Sequence, residues 1–328
     1  MPSRDPAAKP ASGAPVGKAR RDTILDLSLL WIPATLAAAA AQTARNAMQH
    51  RLTEVLGTVG ATQVRFLYGF PFALLFLAAM TTAGGLGPPA PTPRFFGFVL
   101  GGAVTQILAT ALMLAAMRTR SFAVTIAYTK TEPVQVALVG LLVLGDELTA
   151  LGMLAVVAAS AGVILMSWPS RTKRAGLSAR ELLTPALMGV ASGGVFALSA
   201  VAYRGAILAL PEGAFFLRAT TTLTWGLGLQ TVMLLVWLTL MDRAALLNSL
   251  RIWRSSLFAG LMGAVASQFW FLGFSLTAAA NVRTLGLAEV VFAVAVSRRL
   301  FAQAVSRREI AGLLLIVAGV LLLLVAAG

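Results

Sequence analysis

Ten apolar runs follow one another along this 328-residue chain, each about the length that crosses a bilayer as a helix. They cover approximately 28–48, 59–82, 95–117, 121–143, 148–168, 182–206, 212–240, 255–276, 278–297 and 308–327. Short polar or glycine-rich links separate them, such as Gly84-Gly85-Leu86-Gly87-Pro88-Pro89 and Gly145-Asp146-Glu147. Of all residues, 58% are hydrophobic and only 12% charged, against about 25% charged in a soluble domain. That much apolar surface has no place in water, so the bilayer is the expected solvent. The expected fold is an all-α membrane protein of ten transmembrane helices.

The second half repeats the first. Glu132, in Thr131-Glu132-Pro133-Val134, and Glu289, in Ala288-Glu289-Val290-Val291, each lie inside an apolar run. Thirty residues later come Gly162-Val163-Ile164-Leu165 and Gly319-Val320-Leu321-Leu322, so both correspondences keep an offset of 157 without a gap. Arg65 and Arg218 stand at a similar offset, shortly after Gly60-Ala61 and Gly213-Ala214. Five spans per half is an odd number. Two such halves enter the membrane in opposite directions, which makes them inverted repeats related by an axis in the membrane plane. The expected division is a tail over 1–26, a first five-helix repeat over 27–168, a basic linker over 169–181 and a second repeat over 182–328. The tail is rich in Pro, Ala and charge and lacks an apolar core. It reads as disordered, not as a cleavable signal peptide.

The net charge of +14 follows the links. The links after the odd-numbered spans carry Arg51, Arg118, Arg171, Lys173, Arg174, Arg251 and Arg254, among others, whereas the alternate links hold little beyond Arg94 and Arg204. The positive-inside rule puts the basic links in the cytoplasm and both termini outside. This pattern accounts for the charge without a nucleic-acid partner. Cysteine is absent and there is one histidine, which argues against disulfides, thiolate chemistry and zinc. No metal or cofactor is expected, and no phosphate loop or nucleophile motif marks an enzyme.

Ionisable residues inside spans are costly and are functional candidates by default. Here they are Arg45, Arg65, Lys130, Glu132, Arg218, Arg283 and Glu289, with Gln42, Asn46, Gln106, Tyr128 and Gln268 as polar company. Arg65, Arg218, Glu132 and Glu289 recur in both halves. That suits a structural or coupling role, as ion pairs, helix-end caps or proton-accepting carboxylates. Lys130, Arg283 and Arg45 have no charged counterpart. At an offset of 157, Arg283 matches Ile126, four residues before Lys130, so the two bases occupy equivalent helix faces. Glu132 lies about 200° from Lys130 on a regular helix. A basic face and a separate acidic face follow for each helix. The basic faces either line a central cavity that attracts an anionic solute or pair with glutamates on neighbouring helices. Pro133 removes a backbone bond and frees the Thr129 carbonyl, a kink or a hinge. Gln42, Arg45, Asn46 and Gln49 form one polar face of span one, expected to point inward. The aromatic cluster Phe269, Trp270, Phe271 and Phe274 suits a ring-bearing solute, although a lipid-facing stripe is the commoner arrangement.

Ten spans, two five-helix halves and Glu132-Pro133 in span four resemble the EamA-type transporters of the drug/metabolite transporter superfamily. So do the turn Gly145-Asp146-Glu147-Leu148-Thr149, the ending Ala161-Gly162-Val163-Ile164-Leu165 and an Arg opening spans two and seven. The resemblance covers about 27–328. The second half departs from it at Val290, in place of Pro, and at Ala304-Val305-Ser306. The resemblance implies a multi-pass protein of the bacterial inner membrane, a monomer or homodimer without a cofactor. Its partners would be the lipid bilayer, a small-molecule substrate and protons as a candidate coupling ion. It usually implies both termini in the cytoplasm, against the loop charges here. The expected activity is secondary transport of an anionic or zwitterionic metabolite, such as an amino or organic acid, by alternating access. Lys130, Arg283, Arg45, Gln42, Asn46, Gln106, Tyr128, Gln268 and Trp270 would bind the solute. Arg65 and Arg218 would hold the scaffold. A proton-coupled exporter of cationic compounds using Glu132 or Glu289 is the alternative carrier. A membrane enzyme or scaffold is the alternative outside that class.

Overall fold

A computed structural model describes residues 27–119, 128–167, 179–211, 213–290, 292 and 307–327. The expected tail, the start of span four, most of the basic linker and the end of span nine with Arg298, Arg299 and Ala304-Val305-Ser306 lie outside the described residues. Among those described, all regular structure is helical. A short 3-10 turn, Leu27–Leu30, leads into α1 (Trp31–Leu67), α2 (Phe70–Gly84) and α3 (Pro93–Thr119). Then come α4 (Glu132–Leu144), α5 (Ala150–Ser167), α6 (Ala179–Ala209), α7 (Phe215–Met241), α8 (Arg243–Arg251), α9 (Trp253–Leu276), α10 (Ala279–Leu285) and α11 (Arg307–Ala327).

Five of the described stretches are long and apolar enough to cross a bilayer: Trp31–Gly84, Pro93–Arg118, Ala186–Ala209, Phe215–Met241 and Trp253–Leu276. Shorter apolar helices cover Glu132–Leu144, Ala150–Leu165 and Ile310–Ala326. Burial runs opposite to that of a soluble protein. Leu142, Leu240 and Val325 are 82%, 72% and 71% exposed, while Gln49, Gln63 and Gln230 are fully buried. An apolar exterior, with amides and charges buried inside beside an apolar core, is the arrangement a lipid solvent selects.

α1 is two limbs. At Gly57 the backbone adopts φ 67° and ψ 179°, a region open to glycine and costly for other residues. Beyond it the chain doubles back, because Gln49 Nε2 donates to the Ala61 carbonyl at 2.9 Å. In a continuous helix twelve residues span about 18 Å. In the turn after α4, Gly145, Asp146 and Thr149 each have a job. Gly145 closes the helix with φ 70°, Asp146 pairs with Arg204 at 2.9 Å, and the Thr149 hydroxyl accepts from the Gly152 N–H at 3.1 Å, capping α5.

The main packings are α5 with α11, α3 with α6, α1 with α9, and α2 with α7; α4 meets α6 and α10. Gly162 and Gly319 bring α5 and α11 backbone to backbone. A Cβ on Gly162 would stand 2.6 Å from the Gly312 carbonyl oxygen, and one on Gly319 would stand 2.6 Å from the Ala159 nitrogen. Without a bilayer-driven hydrophobic effect between helices, such close contact is what holds them together. One end of the molecule gathers the 145–149 turn and the C-terminal ends of α6 and α9 through Arg204, which also donates to the Phe274 carbonyl at 2.7 Å. The other end gathers the Gly57 region and α8, where Gly60 lies against Ala245.

Candidate functional site

Spans four and nine are both interrupted just before their glutamate. A helical turn at Tyr128 and Thr129 gives way to a turn at Lys130 and Thr131, and α4 starts afresh at Glu132. In the second half α10 stops at Leu285, Gly286 and Leu287 form a turn, and helix resumes at Ala288. The bonds across these breaks are tight i→i+3 contacts, such as Glu289 N–H to the Gly286 carbonyl at 3.0 Å. Pro133 therefore occupies the first turn of α4, where its missing N–H costs no bond. The expected mid-helix kink is corrected to a helix start. Val290 replaces that Pro in span nine, yet the break is still there, with the Trp270 ring packed where a Cβ on Gly286 would stand.

The breaks put charges at helix ends. Glu132 is at the N-terminus of α4 and Arg283 in the last turn of α10, each favoured by the local helix dipole. The two elements pair crosswise. Lys130 Nζ donates to Glu289 Oε2, and Arg283 Nε lies 3.1 Å from Glu132 Oε1. Glu289 also accepts from Gln42 Nε2 at 2.9 Å and Asn46 Nδ2 at 3.0 Å. Arg283 stacks over Trp270 at 4.5 Å and Phe274 at 5.3 Å, and Trp270 Nε1 donates to Gln42 Oε1 at 3.0 Å. The two bases expected to face an anion in a cationic cavity are therefore each neutralised by a glutamate of the opposite half. The packing of α4 against α10 brings these partners together. Where the helix tightens at Lys130 and Thr131, the regular 100° step between residues no longer sets the angle between Lys130 and Glu132.

The excess positive charge lies elsewhere, on Arg45 and Arg65. Both are 2% exposed. Arg45 donates through Nε and Nη2 to Asn46 Oδ1, at 3.2 and 2.7 Å. Arg65 donates to Thr110 Oγ1 at 3.2 Å and Ser267 Oγ at 3.4 Å, and its guanidinium lies over the Phe66 ring. No carboxylate pairs with either among the described residues. Arg45 Nη1 and Arg65 Nε, both buried, have no hydrogen-bond partner there.

These groups surround one enclosed cavity. Gln42, Arg45, Asn46, Arg65, Gln106, Lys130, Glu132, Trp270 and Arg283 line it. Glu289 lies behind this lining through its bonds to Gln42, Asn46 and Lys130. The free space is about 20 Å³, room for a water but not for an organic solute. Gln106 is held by Gln230 Nε2 at 2.8 Å. Two expected binding residues stand off the cavity lining: Gln268 donates to Thr220 Oγ1 at 2.9 Å, and Tyr128 packs against Gly189. Arg218 is half-buried in the first turn of α7 with its Nε unpartnered among the described residues, so Arg65 and Arg218 do not occupy equivalent surroundings. The aromatic stripe turns inward: Trp270, Phe271 and Phe274 are buried, which corrects the lipid-facing arrangement. Sequence reasoning missed Tyr203, Phe196, Met113 and Ser267, which also belong to the lining. A tyrosine beside Arg204, on the apolar run 182–206, was the available signal for Tyr203.

No family model matches this chain, and no curated protein matches it. Among solved structures, a crystal structure of a protein shares the fold at a TM-score of 0.62 and 16% sequence identity, over 90% of this chain and 94% of that one. The likeness extends over nearly the whole of both chains and concerns the fold alone.

Proposed function

We propose that this chain is a secondary-active transporter, moving a small anionic or zwitterionic organic solute across the bacterial inner membrane by alternating access. It is read as ten crossings in two inverted five-helix halves, akin to the EamA-type drug/metabolite transporters. The observation that carries the reading is the enclosed polar cavity beside two broken helices, one from each half, cross-linked by Lys130–Glu289 and Arg283–Glu132. Discontinuous helices meeting at a repeat interface are the usual setting of a carrier's binding site. Several of the main packings fit an exchange of the halves: α5 with α11, α2 with α7 and α4 with α10 are self-corresponding, and α3 with α6 exchanges with α1 and α9, whereas α4 with α6 has only a weaker counterpart in α10 with α1. Ten crossings count the two limbs of α1 separately and continue spans four and nine through their apolar runs in the sequence.

Proton coupling through Glu132 is favoured over Glu289 by partner number. Glu289 accepts from three donors, while Glu132 meets one guanidinium, and its Oε1 lacks a well-aligned bond. The test is flux in proteoliposomes holding the full chain, with labelled amino and organic acids. Alternating access is expected to give saturable uptake that accelerates when unlabelled solute is loaded inside. Flux that stays linear with concentration, or no flux across the panel, would remove the carrier reading.

A further inference from the structure

We infer that Arg45 and Arg65 form the subsite that takes the oxyanion group, carboxylate or phosphate, of the transported solute. This rests on the carrier reading and assigns the charge recognition within it. Around the cavity stand four bases and two acids. Lys130 and Arg283 are matched by Glu289 and Glu132, which leaves two guanidinium charges. The groups that do meet them, Asn46, Thr110 and Ser267, are neutral. They satisfy hydrogen bonds without cancelling charge.

The two side chains lie together. A Cβ on Gly263 of α9 would stand 3.2 Å from Arg65 Cγ and 3.4 Å from Arg45 Cδ, so both alkyl stems run over the same glycine. Each guanidinium keeps one buried nitrogen without a partner among the described residues, Arg45 Nη1 and Arg65 Nε. Two like charges side by side, buried and without a carboxylate at ion-pair distance among the described residues, are costly to keep. Intramembrane cations of this kind mark substrate pathways. A planar guanidinium fork fits the paired oxygens of a carboxylate or phosphate, and it hydrates more weakly than an ammonium. Trp270, Phe271, Tyr203 and Phe196 give the same cavity apolar walls, and at about 20 Å³ it has to widen, as alternating access requires, before the rest of the solute enters.

The experiment follows the melting temperature of the purified full chain during titration with sodium acetate, benzoate, inorganic phosphate or chloride at constant ionic strength. A ligand that binds the native state raises it. Wild type is expected to show a saturable rise with at least one oxyanion, and the carboxylate and phosphate arms tell which group it takes. Arg45→Gln and Arg65→Gln are expected to weaken that response at least about tenfold. In oxyanion-free buffer they should melt no lower than wild type, since each removes an unmatched buried charge. Arg45→Lys and Arg65→Lys keep the charge and lose the fork, and should also weaken the response. The inference is overturned by a wild type that responds to no oxyanion or to chloride alone. It is equally overturned by a response unchanged in the Lys or Gln variants, or by Gln variants that melt early. Its failure is separable from that of the carrier reading. Saturable, trans-accelerated flux without an oxyanion response would leave the carrier standing and remove this subsite. An oxyanion response without flux would remove the carrier reading and leave an oxyanion site with no transport role.

Discussion

Glu289 sits among three donors and Glu132 against one guanidinium, so the two crossed pairs differ in strength. Removing one partner of a buried pair leaves an unmatched charge and costs about 3–5 kcal/mol. Removing both leaves none. Lys130→Met is therefore expected to lower the melting temperature, and Lys130→Met with Glu289→Gln to recover most of the loss. The same cycle on Arg283 and Glu132 should recover less, because Arg283 also gives up its stacking on Trp270 and Phe274. Thermal melting of the single and double variants measures both coupling energies. Equal, additive losses in either cycle would show that the pair makes no joint contribution. The bases first expected to meet solute line the cavity but are paired with Glu289 and Glu132, and Arg65, first expected to serve the scaffold, lies in the same cavity wall.

At the scale of elements, glycines decide which helices can touch and where a helix can turn. Cβ atoms on Gly162 and Gly319 would collide with backbone atoms of the facing helix, which cannot rotate aside. Gly162→Ala and Gly319→Ala should each destabilise the fold by about 1–3 kcal/mol, the range for overpacking. Gly101→Ala, where a Cβ meets nothing within 4 Å, should be tolerated. Gly57 is a different case. A Cβ there also meets open space, yet φ 67° with ψ 179° makes Gly57→Ala cost about 1–3 kcal/mol through the backbone alone. Melting curves of the four variants check the ranking. An innocuous Gly57→Ala would mean that the reversal between the limbs of α1 does not depend on that conformation.

For the whole molecule, the clamp at Arg204 ties the 145–149 turn to the ends of α6 and α9. Its guanidinium donates to Asp146 and to the Phe274 and Thr277 carbonyls. In a carrier this clamp closes one end of the path. The chain contains no cysteine, so a single one introduced at Ser267, on the cavity wall, is a clean reporter. Arg204→Gln is expected to speed its labelling by an impermeant thiol reagent from the Arg204 side and not from the other. Equal rates from that side with and without Arg204→Gln would take the gating role away. A cysteine at Ser178, in the basic connection between the halves, should be reached from the cytoplasm, as the positive-inside rule requires. Labelling from outside intact cells would reverse the orientation.

Composition and periodicity alone determined the helical class, the position of most apolar helices and the presence of intramembrane charge. Those depend on what each segment must bury, which the residues of that segment state by themselves. The inward polar face of Gln42, Arg45, Asn46 and Gln49 was legible for the same reason. Tertiary structure decided the partners. Helical spacing shows that Lys130 and Ile126 share a face, but not which helix stands opposite. Only the packing of α4 against α10 sets Lys130 on Glu289 and Arg283 on Glu132. The same holds for Arg65, whose charge is plain in the sequence, while its lack of an acid among the described residues depends on where α1, α3 and α9 meet. A buried charge is defined by its surroundings, and those surroundings come from distant parts of the chain.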